Sequence, residues 1–242
     1  MSALFGRRKA EIAPGAVHVP GWLSTERQRE LVAACREWAR PPAGIRHARL
    51  PSGGVMSVQT VCLGWHWTPY KYTLTAVDVD GAPVKEFPAW LAELGREAIA
   101  MTDVRPPGTS PPGTSPDSTS LYSPDVALIN FYDEHAKMGM HVDKDERSDA
   151  PVVSISLGAS CVFRFGNTVS RNRPWHDIQL ESGDLFVFGG GSRYAYHGVM
   201  KTISGTDRPD IGLPSGRLNL TLRESGLRQQ PHHPQQPERS GA

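Results

Sequence analysis

The sequence predicts a mainly β protein with flanking helices, centred on a jelly roll, and three observations carry that expectation. From Asp125 to Arg223 the chain breaks into short runs (VALINFY, VVSISL, CVFRF, HDIQL, DLFVFG and RLNLTLR) divided by Gly, Asn and Pro turns. No long helical pattern interrupts them, and strands at that spacing close into a sandwich or barrel. With 242 residues, the chain can bury a sizeable core as one large β-rich domain or two small ones.

The N-terminal part is mixed. In STERQRELVAACREWARPP, Ser24 is placed to cap a helix, Leu31, Cys35 and Trp38 recur at helical spacing, and Pro41-Pro42 ends the run. SVQTVCLGWHWTPYKYTLTAVDVDGAP is rich in β-branched and aromatic residues and reads as strands separated by turns. A second helix is expected in FPAWLAELGREAIAM, with Pro88 near its start and Trp90, Leu91, Leu94 and Ala98 on one side. RPPGTSPPGTSPDSTS repeats PPGTS and holds almost nothing that could enter a core, so it reads as a flexible insertion. The tail RQQPHHPQQPERSGA has the same character, which makes His232 and His233 solvated residues. The expected organisation is helices and strands over 1–104 packed on the core, the insertion over 105–120, the β core over 121–226 and the tail over 227–242.

Composition excludes little but bounds much. Charge is nearly balanced, 26 Lys and Arg against 25 Asp and Glu, so a nucleic-acid ligand would need a local basic surface. Cys35, Cys62 and Cys161 are an odd number at wide spacing without a zinc pattern, and they read as reduced core thiols. No segment approaches a membrane span, and MSALFGRRKAEIAPG has no apolar run after its basic residues. A soluble, cytoplasmic protein is expected.

The strand RLNLTLR is the most informative stretch. Period-two alternation puts Leu218, Leu220 and Leu222 on one face and Arg217, Asn219, Thr221 and Arg223 on the other. If that polar face lines a barrel interior, two arginines must meet anions, and a dicarboxylate suits their planar donor forks. The alternative is a solvated edge strand. The same alternation in LINFY pairs Asn130 with Tyr132. In HVD, a strand would project His141 and Asp143 from one side, roughly 6–7 Å apart, and one distant His would complete a facial triad for Fe(II). His176 and His197 are the candidates. His197 is favoured because ESGDLFVFGGGSRYAYHGV reads as a strand, a Gly-rich turn and a returning strand with His at its end.

Together LINFY, HVDKDE, PVVSISLG, FRFGN, SGDLFVFGG, YHGV and RLNLTLRESG resemble the AlkB family of Fe(II)- and 2-oxoglutarate-dependent dioxygenases, in order over most of Leu121 to Gly226. The resemblance implies a double-stranded β-helix, the jelly roll reached above, with an N-terminal nucleotide-recognition extension. It implies that His141, Asp143 and His197 hold iron, that Arg217 meets the distal carboxylate of 2-oxoglutarate, and that Arg223 lies near its metal-side carboxylate. Asn130, Tyr132 and Asn219 would complete the cradle. The implied reaction uses O2 to decarboxylate 2-oxoglutarate to succinate and CO2 while an N-methyl group of a base in alkylated DNA is oxidised and leaves as formaldehyde.

LGWHWTPYKY resembles the family's nucleotide-recognition stretch, where an aromatic ring stacks on a flipped base and a Tyr meets the backbone. Trp65 and Tyr72 fit by spacing, with Trp67 and Tyr70 as neighbours that leave the assignment open. By the same resemblance Asp145 would bond the exocyclic amine of the base, and Arg171 would sit beside the pocket. An oxygenase acting on RNA or protein and a non-catalytic barrel binding a metal or acid are the alternatives. A monomer is expected.

Overall fold

The computed structural model describes residues 7–105 and 122–227. Nearly all of the PPGTS insertion, and the tail with His232 and His233, lie outside the described residues. In chain order the elements are β1 (Ala10–Ala13), β2 (Ala16–Val19), α1 (Thr25–Trp38), β3 (Arg46–Arg49), β4 (Val55–Leu63), β5 (His66–Thr68), β6 (Lys71–Thr73) and α2 (Ala89–Thr102). Then follow β7 (Val126–Tyr132), β8 (Met138–His141), β9 (Val152–Gly158), β10 (Cys161–Phe165), β11 (His176–Leu180), β12 (Leu185–Phe188), β13 (His197–Thr202) and β14 (Arg217–Arg223).

An eight-stranded sheet runs β1-β2-β12-β9-β14-β7-β4-β3, and a four-stranded sheet runs β11-β10-β13-β8. All pairings between strands are antiparallel, and the two sheets form the jelly roll. The residues before 104 do more than cover this core: β1–β2 extend the large sheet at one edge and β3–β4 at the other. β5 and β6 form a separate two-stranded ribbon.

Both faces of the large sheet are buried, which explains why β9 and β14 contain no exposed residue. Its outer face carries Ile129, Ile155, Leu218, Leu220 and Leu222 against Leu31 and Cys35 of α1 and Leu91, Leu94 and Ala98 of α2. Each such side chain contributes on the order of 1.5–3 kcal/mol on burial. Its inner face brings Phe186 and Phe188 against Phe163 and Phe165 of the small sheet, with Phe163 and Phe186 centroids 5.0 Å apart.

The helices form where their patterns indicate. Ser24 caps α1, its Oγ accepting from the Arg27 N–H at 3.3 Å. In α2 the buried stripe includes Leu91, Leu94 and Ala98, but Trp90 does not join it. Trp90 is 47% exposed and stacks on Trp38 at 5.8 Å.

One local expectation is corrected. β12 and β13 are not a hairpin: β12 pairs with β2 and β9, whereas β13 pairs with β10 and β8 in the other sheet. The chain crosses between sheets through a 3-10 turn at Gly190–Ser192, so His197 opens β13 instead of closing it, directly opposite His141. A Cβ at the next residue, Gly198, would lie 2.5 Å from the Met138 carbonyl oxygen, so only glycine permits this close approach of β13 to β8.

Candidate metal centre and active-site cavity

A cavity of about 500 Å³ opens between the two sheets, walled by β7 and β14 on one side and β8 and β13 on the other. His141, Asp143 and His197 meet in it, with one ligand atom from each within 4.8 Å of the others. β8 ends at His141, so Asp143 reaches the cluster from the loop beyond and not from the strand itself. His176 begins β11, is exposed, and takes no part.

Each histidine is oriented by a backbone carbonyl two residues earlier. His141 Nδ1 lies 3.0 Å from Gly139 O and His197 Nδ1 lies 2.9 Å from Ala195 O. A carbonyl only accepts, so both Nδ1 atoms carry the proton and both Nε2 lone pairs face Asp143, at 3.5 Å each. Burial would raise the Asp143 carboxyl, but the Arg223 guanidinium at 2.7 Å holds it well below the usual range. Burial lowers His197, outweighing the pull of Asp143. An ionised carboxylate beside a neutral imidazole is the donor set a divalent cation takes.

The polar face of β14 points as alternation requires. Asn219, Thr221 and Arg223 line the cavity with Asn130 and Tyr132 of β7, and Arg217 sits in register with Tyr132. Arg217 is 1% exposed, yet only its Nη2 has a partner, Ser156 Oγ at 3.0 Å; Nε and Nη1 are buried without one. Arg223 Nε is likewise unpartnered. A buried guanidinium with idle donors calls for an anion.

The two aromatic candidates fall differently from the spacing expectation. Trp65 does not line the cavity; it is buried among Cys62, Val126 and Leu128, its Nε1 donating to Asp125 Oδ2 at 3.1 Å. Trp67 lines the cavity, and its Nε1 donates to Asp145 Oδ2 at 2.8 Å. Tyr72 points inward, bonded to Glu146, while Tyr70, 71% exposed, stands at the mouth. Arg171 and Asp145 both line the opening.

Three buried charges were not singled out from the sequence. Glu146 takes Arg193 Nη2 at 3.0 Å and Arg223 Nη1 at 2.8 Å. Arg193 also donates to the Asp143 carbonyl at 2.7 Å, which fixes the backbone of the metal loop. Arg46 donates to the carbonyls of Thr60 and Trp67 and pairs with Asp78 at 3.2 Å, anchoring the β5–β6 ribbon beneath Trp67. In HVDKDE and GGSRYAYHG the first two look like ordinary surface charges.

Comparison with known proteins agrees with this geometry. The family model described as 2OG-Fe(II) oxygenase superfamily matches residues 15–223. The chain is 34% identical to the Arabidopsis thaliana protein named DNA N(6)-methyladenine demethylase ALKBH1D, over 88% of this chain and 50% of that one. It is 34% identical to an alpha-ketoglutarate-dependent dioxygenase AlkB homolog of Caulobacter vibrioides, covering 88% and 89%. The alpha-ketoglutarate-dependent dioxygenase AlkB of Escherichia coli is 33% identical, covering 76% and 79%. The chain spans about half the length of the Arabidopsis relatives. The solved structure of OsALKBH1 superposes with a TM-score of 0.75 at 32% identity, over 89% of this chain and all of that one.

Proposed function

The chain belongs to the AlkB family of 2OG-Fe(II) oxygenases, and from that premise we propose that it removes N-alkyl groups of the 1-methyladenine and 3-methylcytosine type from bases in DNA. The observation that carries the reading is the His141–Asp143–His197 cluster in one cavity with the incompletely bonded Arg217 and the Trp67–Asp145 pair. The idle Arg217 and Arg223 donors fit a dicarboxylate, and the three-ligand cluster fits Fe(II) with positions left open.

When bound, iron, O2 and 2-oxoglutarate supply the oxidation that yields succinate, CO2 and an oxidised N-alkyl carbon lost as formaldehyde. The chain supplies position and charge. Arg217 holds the distal carboxylate, Arg223 keeps Asp143 ionised, and Asn130, Tyr132 and Asn219 bound the co-substrate. Thr60 Oγ donates to Asn130 Oδ1 at 2.8 Å, which turns the Asn130 amide N–H groups toward the remaining partners. Trp67 offers the flipped base an aromatic face, and the Asp145 oxygen not engaged by Trp67 accepts from an exocyclic amine.

An acceptor at that place suits adenine and cytosine, which carry an amine there. The relatives named N(6)-methyladenine demethylases favour N6-methyladenine in DNA as a second substrate, since its amine retains one N–H. RNA is the other nucleic-acid partner to be tested. Every proposed ligand comes from one chain, so a monomer would carry a complete site, and three buried, unpaired thiols suit the reducing cytoplasm. No helix among the described residues is long and apolar enough to cross a membrane.

The test is formaldehyde and succinate release from oligonucleotides carrying 1-methyladenine, 3-methylcytosine or N6-methyladenine, as DNA and as RNA. Coupled release from methylated DNA is expected. Succinate release that no nucleic acid stimulates overturns the reading.

A further inference from the structure

The loop between β10 and β11 carries a second surface at the rim of the cavity. Its sequence VSRNRPWHD holds Arg171, Arg173 and Trp175 at alternate positions. Arg171 lines the cavity. Two residues on, Arg173, Pro174 and Trp175 line a shallow groove with Asp177. The two depressions adjoin: a Cβ placed at Gly166 would lie 3.1 Å from Met140 Cε, which lines the cavity, and 3.8 Å from the Pro174 carbonyl oxygen.

Charge in this groove is unbalanced. Arg164 is neutralised by Asp177 through two bonds of 2.7 and 2.8 Å, and its guanidinium, 4.4 Å from the Trp175 centroid, holds the indole against β10. Arg173 also approaches that ring, at 5.2 Å. Arg171 and Arg173 are exposed and neither makes a hydrogen bond or an ion pair among the described residues. Two arginines without a hydrogen bond or salt bridge, one of them over the Trp175 ring, form a local basic patch in a chain of nearly balanced charge.

We propose that the single strand leaving the flipped nucleotide crosses the β10–β11 loop, with its phosphates on Arg171 and Arg173 and a base against the indole of Trp175. The assignment rests on the nucleic-acid reading above and extends it from one base to the flanking strand. Arg173 leaves the indole for a phosphate as the strand arrives. The loop thereby reads strand length, not lesion chemistry.

Fluorescence anisotropy with unmethylated single-stranded DNA of about ten nucleotides tests this across a salt series. R173A should lower the slope of log K against log salt by about 0.7, the share of one phosphate contact on a single strand. W175A should weaken binding roughly 5- to 150-fold at fixed salt and leave the slope alone. Turnover should favour the longer strand over a methylated trinucleotide, and R173A should shrink that preference. Parental slope in R173A, or parental affinity in W175A, overturns the assignment. If the parent demethylates a trinucleotide as well as a long strand, the function stands and this surface falls. If it demethylates nothing yet binds DNA with a slope that R173A reduces, the surface stands and the function falls.

Discussion

Tyr72 and Glu146 share a hydrogen bond of 2.5 Å from Oη to Oε1, which fastens the β5–β6 ribbon to the loop that carries Asp143. Because Glu146 also faces Arg193 and Arg223, ribbon and metal loop are tied into one network of buried charges. Tyr72→Phe removes one donor and leaves the carboxylate paired, so the stability cost is about 1 kcal/mol. The looser ribbon should raise KM for a methylated oligonucleotide several-fold while metal affinity is kept. Glu146→Gln should cost roughly 3–5 kcal/mol, because the buried Arg193 loses its carboxylate and Arg223 keeps only Asp143. An unchanged oligonucleotide KM in the Phe variant would detach Tyr72 from substrate positioning.

Metal binding offers a readout independent of turnover. Saturating Fe(II) under anaerobic conditions should raise the melting temperature, since a ligand at 100 times its Kd adds about 2.7 kcal/mol. A chelator should reverse the gain. His141→Ala, Asp143→Ala and His197→Ala should abolish it, and His176→Ala should preserve it. A shift kept by His197→Ala and lost by His176→Ala would move the third ligand to β11.

Arg217 is the group whose donors most need a partner. Arg217→Lys replaces a planar fork with a point charge and should raise the 2-oxoglutarate requirement by the equivalent of about 1–3 kcal/mol, or 5- to 150-fold. Titration of 2-oxoglutarate against succinate release measures it. Parental co-substrate dependence would place the anion elsewhere.

The side-chain placements legible in the sequence are those governed by local periodicity. Strict alternation in RLNLTLR separates the three leucines, now against α1 and α2, from Arg217, Asn219, Thr221 and Arg223, and nothing in tertiary packing can undo that once the strand forms. Trp65 and Trp67 escaped because alternation does not carry from β4 into β5. Gly64 stands between them at φ +76°, and a Cβ there would lie 1.9 Å from the Asp125 carbonyl oxygen. That turn decides which indole meets the cavity, and its angle depends on a residue 61 positions away. Arg46, Glu146 and Arg193 escaped for a related reason: a charge reads as solvated until the fold supplies its partner from a distant segment.

Acid sensitivity should come in part from Asp184, which does not line the cavity of the metal cluster. Its buried carboxylate accepts from His18 at 2.9 Å, from Arg7 at 2.6 and 3.1 Å, and from the backbone N–H groups of Gly21 and Glu181, both at 2.9 Å. Burial alone would raise its pKa, but these bonds outweigh burial and lower it. The unfolded chain therefore binds the proton first as pH falls. Stability from this group is complete above the unfolded carboxyl value, about 3.9, and is lost as pH drops through the lower folded value. Asp184→Asn should destabilise at neutral pH by roughly 1–3 kcal/mol, because Arg7 is partly exposed and keeps Glu181 while the His18 and backbone donors lose an ionised acceptor. It should also flatten the fall of melting temperature with pH below about 4. An equal acid slope in parent and variant would remove Asp184 from the account.

The two indoles make a paired test of base recognition. Trp65 is 7% exposed and contributes packing, so Trp65→Ala should cost about 3–5 kcal/mol of stability through the cavity it leaves. Trp67 lines the cavity, donates to Asp145 through its Nε1 and accepts from Arg46 through its carbonyl. Trp67→Ala should therefore weaken demethylation roughly 5- to 150-fold, the value of one stacked base, with a smaller loss of stability. Trp67→Phe separates the two contributions: a ring remains to stack, but Asp145 loses the N–H that orients it. That variant should retain most of its affinity for a methylated oligonucleotide while the ratio of methyladenine to methylcytosine turnover shifts. Arg46→Gln, which releases the Trp67 carbonyl and leaves Asp78 with His66, should reproduce the Trp67→Ala loss without a change at the cavity wall. Parental turnover in both Trp67 variants, with loss in Trp65→Ala at a temperature where that variant is folded, would return the stacking role to Trp65.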